Sequence, residues 1–512
     1  MDYPEVVDAH RGVNHIEGLT VMLEPWVIEE MQNLDLKDKR LNDRLSEVLS
    51  QLGGQPTASI PAACGGYAET AAAYRLFDNE KVCFENVLQP HLEATAHRIA
   101  GNPVVVLAQD TTEIDLTRPE QQVVGAGPLD GGSRRGVFLH LLHAFTPDGT
   151  PLGTVHADVW ARDDEPPLSK SERSAQRKQT PIEEKESQRW IDMLRRARDT
   201  ARRTPETRII CVADSEADIY ELLVESQGEP REVEWIVRAC QNRALVQTPE
   251  NTAKNGFSAA KHHLREQVLA SDVLFTHTIK IRGRKAKVAC ETRGRRQPRE
   301  SRIAEVEVRA ARVTLRPPWR PDRKLPEVEV NVLLVREINP PENQPPVEWM
   351  LLTNLPVDTV EQVRAVIQLY CVRWMIEVFF RTLKSGCRVQ ERLFEHADRL
   401  LRCLGVYLIV TWRTLFVCRL GREFPQISCE AIFEPAEWKS VYRIVRDKTP
   451  PQKPPSLKTM IRMVAQLGGY VNRRRDDDPG PQTVWIGLQR THDMALCWQT
   501  FGPESKKENI LV

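Results

Sequence analysis

Apolar residues change their spacing twice along the chain. From about 25 to 98 they recur at helical intervals, as Leu41, Leu45, Val48, Leu49 and Leu52 do, and that run stops at Gly53-Gly54, so this stretch predicts helices. Lys37, Arg40 and Arg44 recur at i, i+3 and i+7 on another face, which is either a solvated charged face or a DNA contact. From 104 the spacing becomes that of strands. Val104-Val105-Val106-Leu107-Ala108 is short and continuously apolar and predicts a buried strand ending at Asp110. Gly136 to Phe145 and Leu152 to Trp160 predict a hairpin across Pro147-Asp148-Gly149. The polar stretch from Arg162 to Thr180 is expected to be mobile. A helix from about Ile182 to Arg203, a strand from Arg208 to Ala213 ending at Asp214, a helix through Ala217 to Leu223 and a strand from Trp235 to Ala239 are expected after it.

Three antiparallel strands, a crossover helix and two further strands are the order of an RNase H-like sheet, so the expected class is α/β with a mixed five-stranded core. The run from about 245 to 350 alternates Val, Ile and Arg and predicts a β-rich insertion. Helical spacing resumes at 359 and continues to the end, broken by the Pro-rich linker Thr449 to Pro455. The expected division is a helical unit over 1–98, a first core part over 99–244, the insertion over 245–350, a last core part over 351–398 and a helical unit over 399–512.

Composition narrows the class without fixing the function. At 512 residues, several packed units are expected. A hydrophobic fraction of 41%, 28% charged residues and a mean hydropathy of -0.43 describe an ordinary soluble chain. The most apolar run, Leu404 to Val410, is soon interrupted by Arg413 and reads as a core helix, so no membrane partner is expected. The acidic start, Met1 to Arg11, lacks an apolar segment, which leads to a cytosolic expectation. The 11 cysteines never form C-x-x-C, which argues against a disulfide framework or a zinc site. Net charge is zero, yet Lys280 to Lys324 holds 16 Lys/Arg against 5 Asp/Glu, the expected phosphate-facing surface.

The candidate chemistry lies in Tyr370-Cys-Val-Arg373-Trp-Met-Ile-Glu377-Val-Phe-Phe-Arg-Thr-Leu-Lys384. On one α-helix, Tyr370, Arg373, Glu377 and Lys384 share a narrow polar stripe, while Val372, Met375, Ile376, Phe379 and Leu383 face a core. Taken singly, each carboxylate has a plain structural explanation. Glu377 makes an i,i+4 pair with Arg373, Asp110 closes a strand, and Asp214 caps a helix. Together, two strand-end aspartates and one helix glutamate supply the oxygen ligands that a pair of hard divalent cations needs for in-line displacement at phosphorus. Arg373 and Lys384 would then grip phosphates beside the scissile bond.

With these residues the chain resembles the cut-and-paste DDE transposases of bacterial insertion sequences, in the branch marked by Y-x2-R-x3-E-x6-K, and within it the transposon five group. Tyr370, Arg373, Glu377 and Lys384 reproduce the signature. Gln109-Asp110-Thr111-Thr112 looks like the first-Asp block and Asp214-Ser215-Glu216-Ala217-Asp218-Ile219 like the second. The likeness extends over nearly the full length, through Glu184-Lys185-Glu186-Ser187 with Trp190, Glu337-Ile338-Asn339-Pro340-Pro341, Trp349-Met-Leu-Leu-Thr353 and Leu467-Gly468-Gly469-Tyr470.

The resemblance implies an enzyme that synapses two inverted-repeat ends of double-stranded DNA as a homodimer. It would nick each end, form and open a hairpin, and join the 3′ ends to target DNA. It implies two Mg2+ ions, with Mn2+ as substitute, on Asp110, Asp214 and Glu377, and no nucleotide cofactor. Trp349 matches the aromatic that stacks on a flipped base, and Tyr370, Arg373 and Lys384 match phosphate contacts. Arg44 and Arg75, the latter in Ala73-Tyr74-Arg75-Leu76-Phe77, match end-recognising residues, and the carboxyl-terminal helices match the dimer contact. Val378, Phe379 and Phe380 and the stretches 162–180 and 285–325 depart from the pattern, so end-sequence specificity does not transfer. The alternatives are a catalytically silent DNA-binding relative that inhibits transposition and an RNase H-like nuclease without strand transfer.

Overall fold

The computed structural model describes residues 23–503, apart from 132, 165–168, 229–231, 247–262, 282–299, 343, 345, 474, 475 and 477. Helices α1 (Pro25–Glu30), α2 (Lys39–Gly54), α3 (Ile60–Cys64), α4 (Tyr67–Asp78) and α5 (Phe84–Ala100) come first. α2 begins where the Asp38 carboxylate accepts the Arg40 N–H, and it buries Leu45, Val48, Leu49 and Leu52. Lys37 precedes the helix with φ 59°, so only Arg40 and Arg44 of the expected basic stripe ride on it.

The described strands form one ten-stranded sheet. They are β1 (Val104–Asp115), β2 (Gly127–Pro128), β3 (Arg135–Phe145), β4 (Pro151–Trp160), β5 (Arg208–Ala213), β6 (Glu234–Arg238), β7 (Phe275–Ile281), β8 (Arg302–Leu315), β9 (Val328–Glu337) and β10 (Glu348–Thr353). β1, β5 and β6 are parallel neighbours in that order, and β3 then β4 continue antiparallel beyond β1. On the far side β10 pairs antiparallel with β6, and β9, β8 and β7 follow. The expected insertion is therefore an extension of the core sheet. β6 would otherwise expose a row of unpaired backbone groups, and β10 satisfies them.

Two further differences concern the core. β1 does not end at Asp110, because Thr111, Thr112 and Ile114 favour extended backbone and pair with β3 as far as Asp115 opposite Gly136. Only its parallel ladder with β5 stops there, at Gln109 beside Ala213. The stretch expected to be mobile contains α6 (Lys170–Gln179), started by a reciprocal capping box between Ser169 and Glu172.

Alternate β1 residues divide between two cores. Val105 and Leu107 pack under α7 (Gln188–Arg203) through Trp190, Ile191, Met193 and Leu194. Val106, Ala108 and Ile114 face the opposite core. The helices α8 (Tyr220–Glu225) and α9 (Leu264–Leu269) lie within the sheet-forming segments. After β10 come α10 (Val360–Val372), α11 (Trp374–Arg381), α12 (Ala397–Glu423), α13 (Pro435–Arg446), α14 (Leu457–Leu467) and α15 (Pro481–Phe501). α12 is long and apolar enough to cross a membrane, but its most apolar stretch is 78% buried inside the protein, as a core helix is. It crosses the expected boundary at 398/399, contributing Leu404 to the sheet core and Val417 to a third core with Trp438, Met460 and Val484.

Candidate active site

Asp110 lies on the same face of β1 as Val106 and Ala108, the face against which α11 packs with Ile376, Phe379 and Phe380. Asp214 is the first residue after β5, and the register of Gln109 with Ala213 brings it level with Asp110. Strand termini of a parallel sheet are where ligands gather in α/β proteins. Glu377 approaches from α11, so residues from three distant segments meet at one sheet edge.

Arg373 joins two of them. Its Nη1 donates to Asp110 Oδ2 at 3.3 Å and its Nη2 to Glu377 Oε1 at 2.6 Å, and the Tyr370 hydroxyl lies near the same guanidinium. Asp110 Oδ1 accepts the Thr111 N–H at 2.8 Å. The Asp110 carboxyl is pushed up to about 7, first by burial and then by the neighbouring charge of Asp214, with Glu377 adding to it and Arg373 opposing. Burial works against the Arg373 charge, yet Glu377, Tyr370 and Asp110 hold the guanidinium protonated above its ordinary range. Asp214 does cap the turn that follows, its Oδ1 accepting the Glu216 N–H at 2.8 Å.

The polar stripe is not carried by one regular helix. Arg373 sits at a joint between α10 and α11, where its N–H reaches the Tyr370 carbonyl three residues back instead of four. Past Arg381 the helix widens into a π turn over Thr382–Gly386, with Cys387 N–H bonding the Thr382 carbonyl five residues back. Lys384 rides on that turn, half-buried, with the charges of Glu113, Asp115 and Asp110 in reach, and burial lowers its pKa. Tyr370 is buried, its hydroxyl pKa raised first by that burial, with Arg373, Arg238 and Asp214 nearby.

The other candidates lie farther out. Trp349 is half-buried on β10, opposite Val335. Arg44 on α2 pairs with Glu47 at 2.7 Å, and Arg75 on α4 is exposed. Of the basic stretch, residues 282–299 lie outside the described residues. Arg302, Arg309, Arg320 and Arg323 pair with Glu337, Glu307, Glu221 and Glu183. One side chain outside the motif reading borders the site: Arg238, which ends β6, lies near Tyr370. Arg238 was detectable, because it ends an apolar strand just as Asp214 follows one.

Carboxylate oxygens on strand and helix are the donor set that hard divalent cations take. Among the described residues no three Asp, Glu, His or Cys side chains stand close enough to hold an ion as placed. One guanidinium spans Asp110 and Glu377. The residues fit the cation in kind.

Residues 23–82 match the model of a transposase DNA-binding domain, and this range contains Arg44 and Arg75. Residues 178–409 match a transposase DDE domain, which contains Asp214 and Glu377 but begins after Asp110. Residues 409–496 match the transposase Tn5 dimerisation domain. Among solved structures, a chain in the cryo-EM structure of a piggyBac transposase synaptic complex with hairpin DNA is similar at 9% identity, with a TM-score of 0.28. The match covers 63% of this chain and 48% of that one, so the chain spans about half the length of that protein. A transposase DNA-binding domain, a DDE domain and a Tn5 dimerisation domain, in that order, give this chain the domain composition of a DDE transposase.

Proposed function

We propose that the chain is a cut-and-paste transposase with an RNase H-like core, acting in the cytosol as a homodimer on two inverted-repeat DNA ends. It nicks each end, passes through a hairpin and joins the freed 3′-hydroxyls to target DNA. The observation that supports this most is that Arg373 bonds both Asp110 and Glu377 while the β1–β5 register sets Asp214 level with Asp110, although the three belong to segments far apart in sequence. That all three carboxylates are retained favours catalysis over a silent DNA-binding relative.

Asp110, Asp214 and Glu377 would hold two divalent cations, Mg2+ or Mn2+, which supply activation of the attacking oxygen and stabilisation of the leaving one. The chain's own residues do the rest. Arg373 and Lys384 grip the phosphates flanking the scissile bond, Arg373 with a planar fork suited to paired oxygens. Tyr370, whose hydroxyl lies near Arg373, contacts phosphate beside it. Phe379 and Phe380 seat α11 on the sheet, so that Glu377 projects from a fixed platform. Trp349 offers an indole face to a base unstacked by the hairpin, and Arg44 and Arg75 contact the element ends.

The test is cleavage of end DNA in Mg2+ or Mn2+ by Asp110→Ala, Asp214→Ala and Glu377→Ala. Each is expected to lose strand cleavage by several orders of magnitude while still binding end DNA. Cleavage retained by any of them removes that residue from the site.

A further inference from the structure

One guanidinium holds two of the three carboxylates, and this has a consequence for when metal can enter. Arg373 Nη1 meets Asp110 Oδ2 at 3.3 Å and Nη2 meets Glu377 Oε1 at 2.6 Å, with side-chain exposures of 12% for Arg373, 16% for Asp110 and 37% for Glu377. Ion pairs this sheltered are screened less than surface pairs. The oxygens that Arg373 engages are oxygens a divalent cation would need, so the two occupancies compete. A DNA phosphate is the natural rival for the guanidinium, because it presents paired anionic oxygens to the same planar fork.

We propose that Arg373 is a built-in counter-ion that keeps Asp110 and Glu377 from holding metal until a DNA phosphate draws it away. This rests on the metal-site assignment made above. Metal affinity is then weakened in the DNA-free protein by the small fraction of molecules in which Arg373 has let go. DNA raises that fraction, and linkage requires that metal raise DNA affinity by the same factor. The joint between α10 and α11 lies at Arg373 itself, so its side chain can re-aim without dragging a regular helix.

The experiment is Mn2+ binding to the full chain, read from the loss of the free-ion signal in electron paramagnetic resonance, with and without an uncleavable end duplex. Arg373→Gln and Arg373→Lys are the variants, the latter keeping the charge but lacking a fork that can span both carboxylates. Both are expected to tighten Mn2+ binding without DNA, by roughly 5- to 150-fold, the usual range of a coupling between sites. The tightening produced by DNA in the parent protein is expected to shrink in both. Unchanged DNA-free affinity in both variants overturns the proposal, provided that Asp110→Asn and Asp214→Asn weaken binding. If those two asparagine variants bind Mn2+ as the parent does, the metal-site assignment itself falls.

Discussion

Glu437, on α13, carries a carboxyl pushed up to about 7, first by burial and then by the nearby charge of Glu24. A folded-state value above the unfolded one means that the native protein binds more protons between them. Its contribution is therefore fully present below about pH 4.5 and is lost as pH rises through about 7. Glu437→Gln keeps an acceptor for the Glu434 N–H of the capping box while removing the titration. The parent is expected to lose on the order of 1 to 3 kcal/mol relative to this variant between pH 5 and 8. Thermal or urea unfolding over a pH series measures it, and parallel pH profiles would refute the assignment. For Trp349→Ala, first-strand nicking is expected to persist while hairpin yield falls, reflecting roughly 1 to 3 kcal/mol of lost stacking per base. Loss of the nick as well would assign the indole to the fold. At this scale the spacing of Tyr370, Arg373, Glu377 and Lys384 is a local feature that the sequence displays. The bridge from Arg373 to Asp110 spans 263 positions and leaves no local trace.

The strands β3, β4, β5 and β6 and the end of α2 follow from apolar spacing and turn residues alone. The segment around Glu377 does not. Neither glycine nor proline marks the joint at Arg373, and no periodicity reveals the π turn at Thr382–Gly386, where Leu383 and the following Cys387 are buried in the core. Near the carboxyl end, α14 and α15 approach so closely that a Cβ on Gly487 would run into the Val464 carbonyl. Alanine there gains about 1 kcal/mol of helix propensity, but the neighbour is backbone and cannot yield without parting the helices. The clash is expected to win, with Gly487→Ala destabilising the chain by a net ~1 to 3 kcal/mol. A lowered melting temperature checks it, and an unchanged or raised one would mean that the helices can separate at little cost.

Across the molecule, 71 basic and 71 acidic side chains cancel, so attraction to DNA depends on local placement. Arg75, exposed on α4 within the DNA-binding match, is one such placement. Arg75→Ala is expected to weaken binding of end DNA and to make the slope of log affinity against log salt shallower by about 1. An unchanged slope would show that no phosphate contact was lost. The helical ends and the β-rich stretch are legible in the sequence, but their joining is not. That β10 to β7 continue the core sheet depends on which edge remains open after β6 is laid down. This mounting has a mechanical outcome. Asp110 stands on a strand paired on both sides and Asp214 is tied down just beyond another, whereas Glu377 rides a short segment with a joint before it and a slackened turn after it. Two of the three mounts are set in the sheet and the third is borne by a helix packed on it, so loosening Phe379 or Phe380 against the sheet is expected to displace Glu377 while Asp110 and Asp214 stay where they stand.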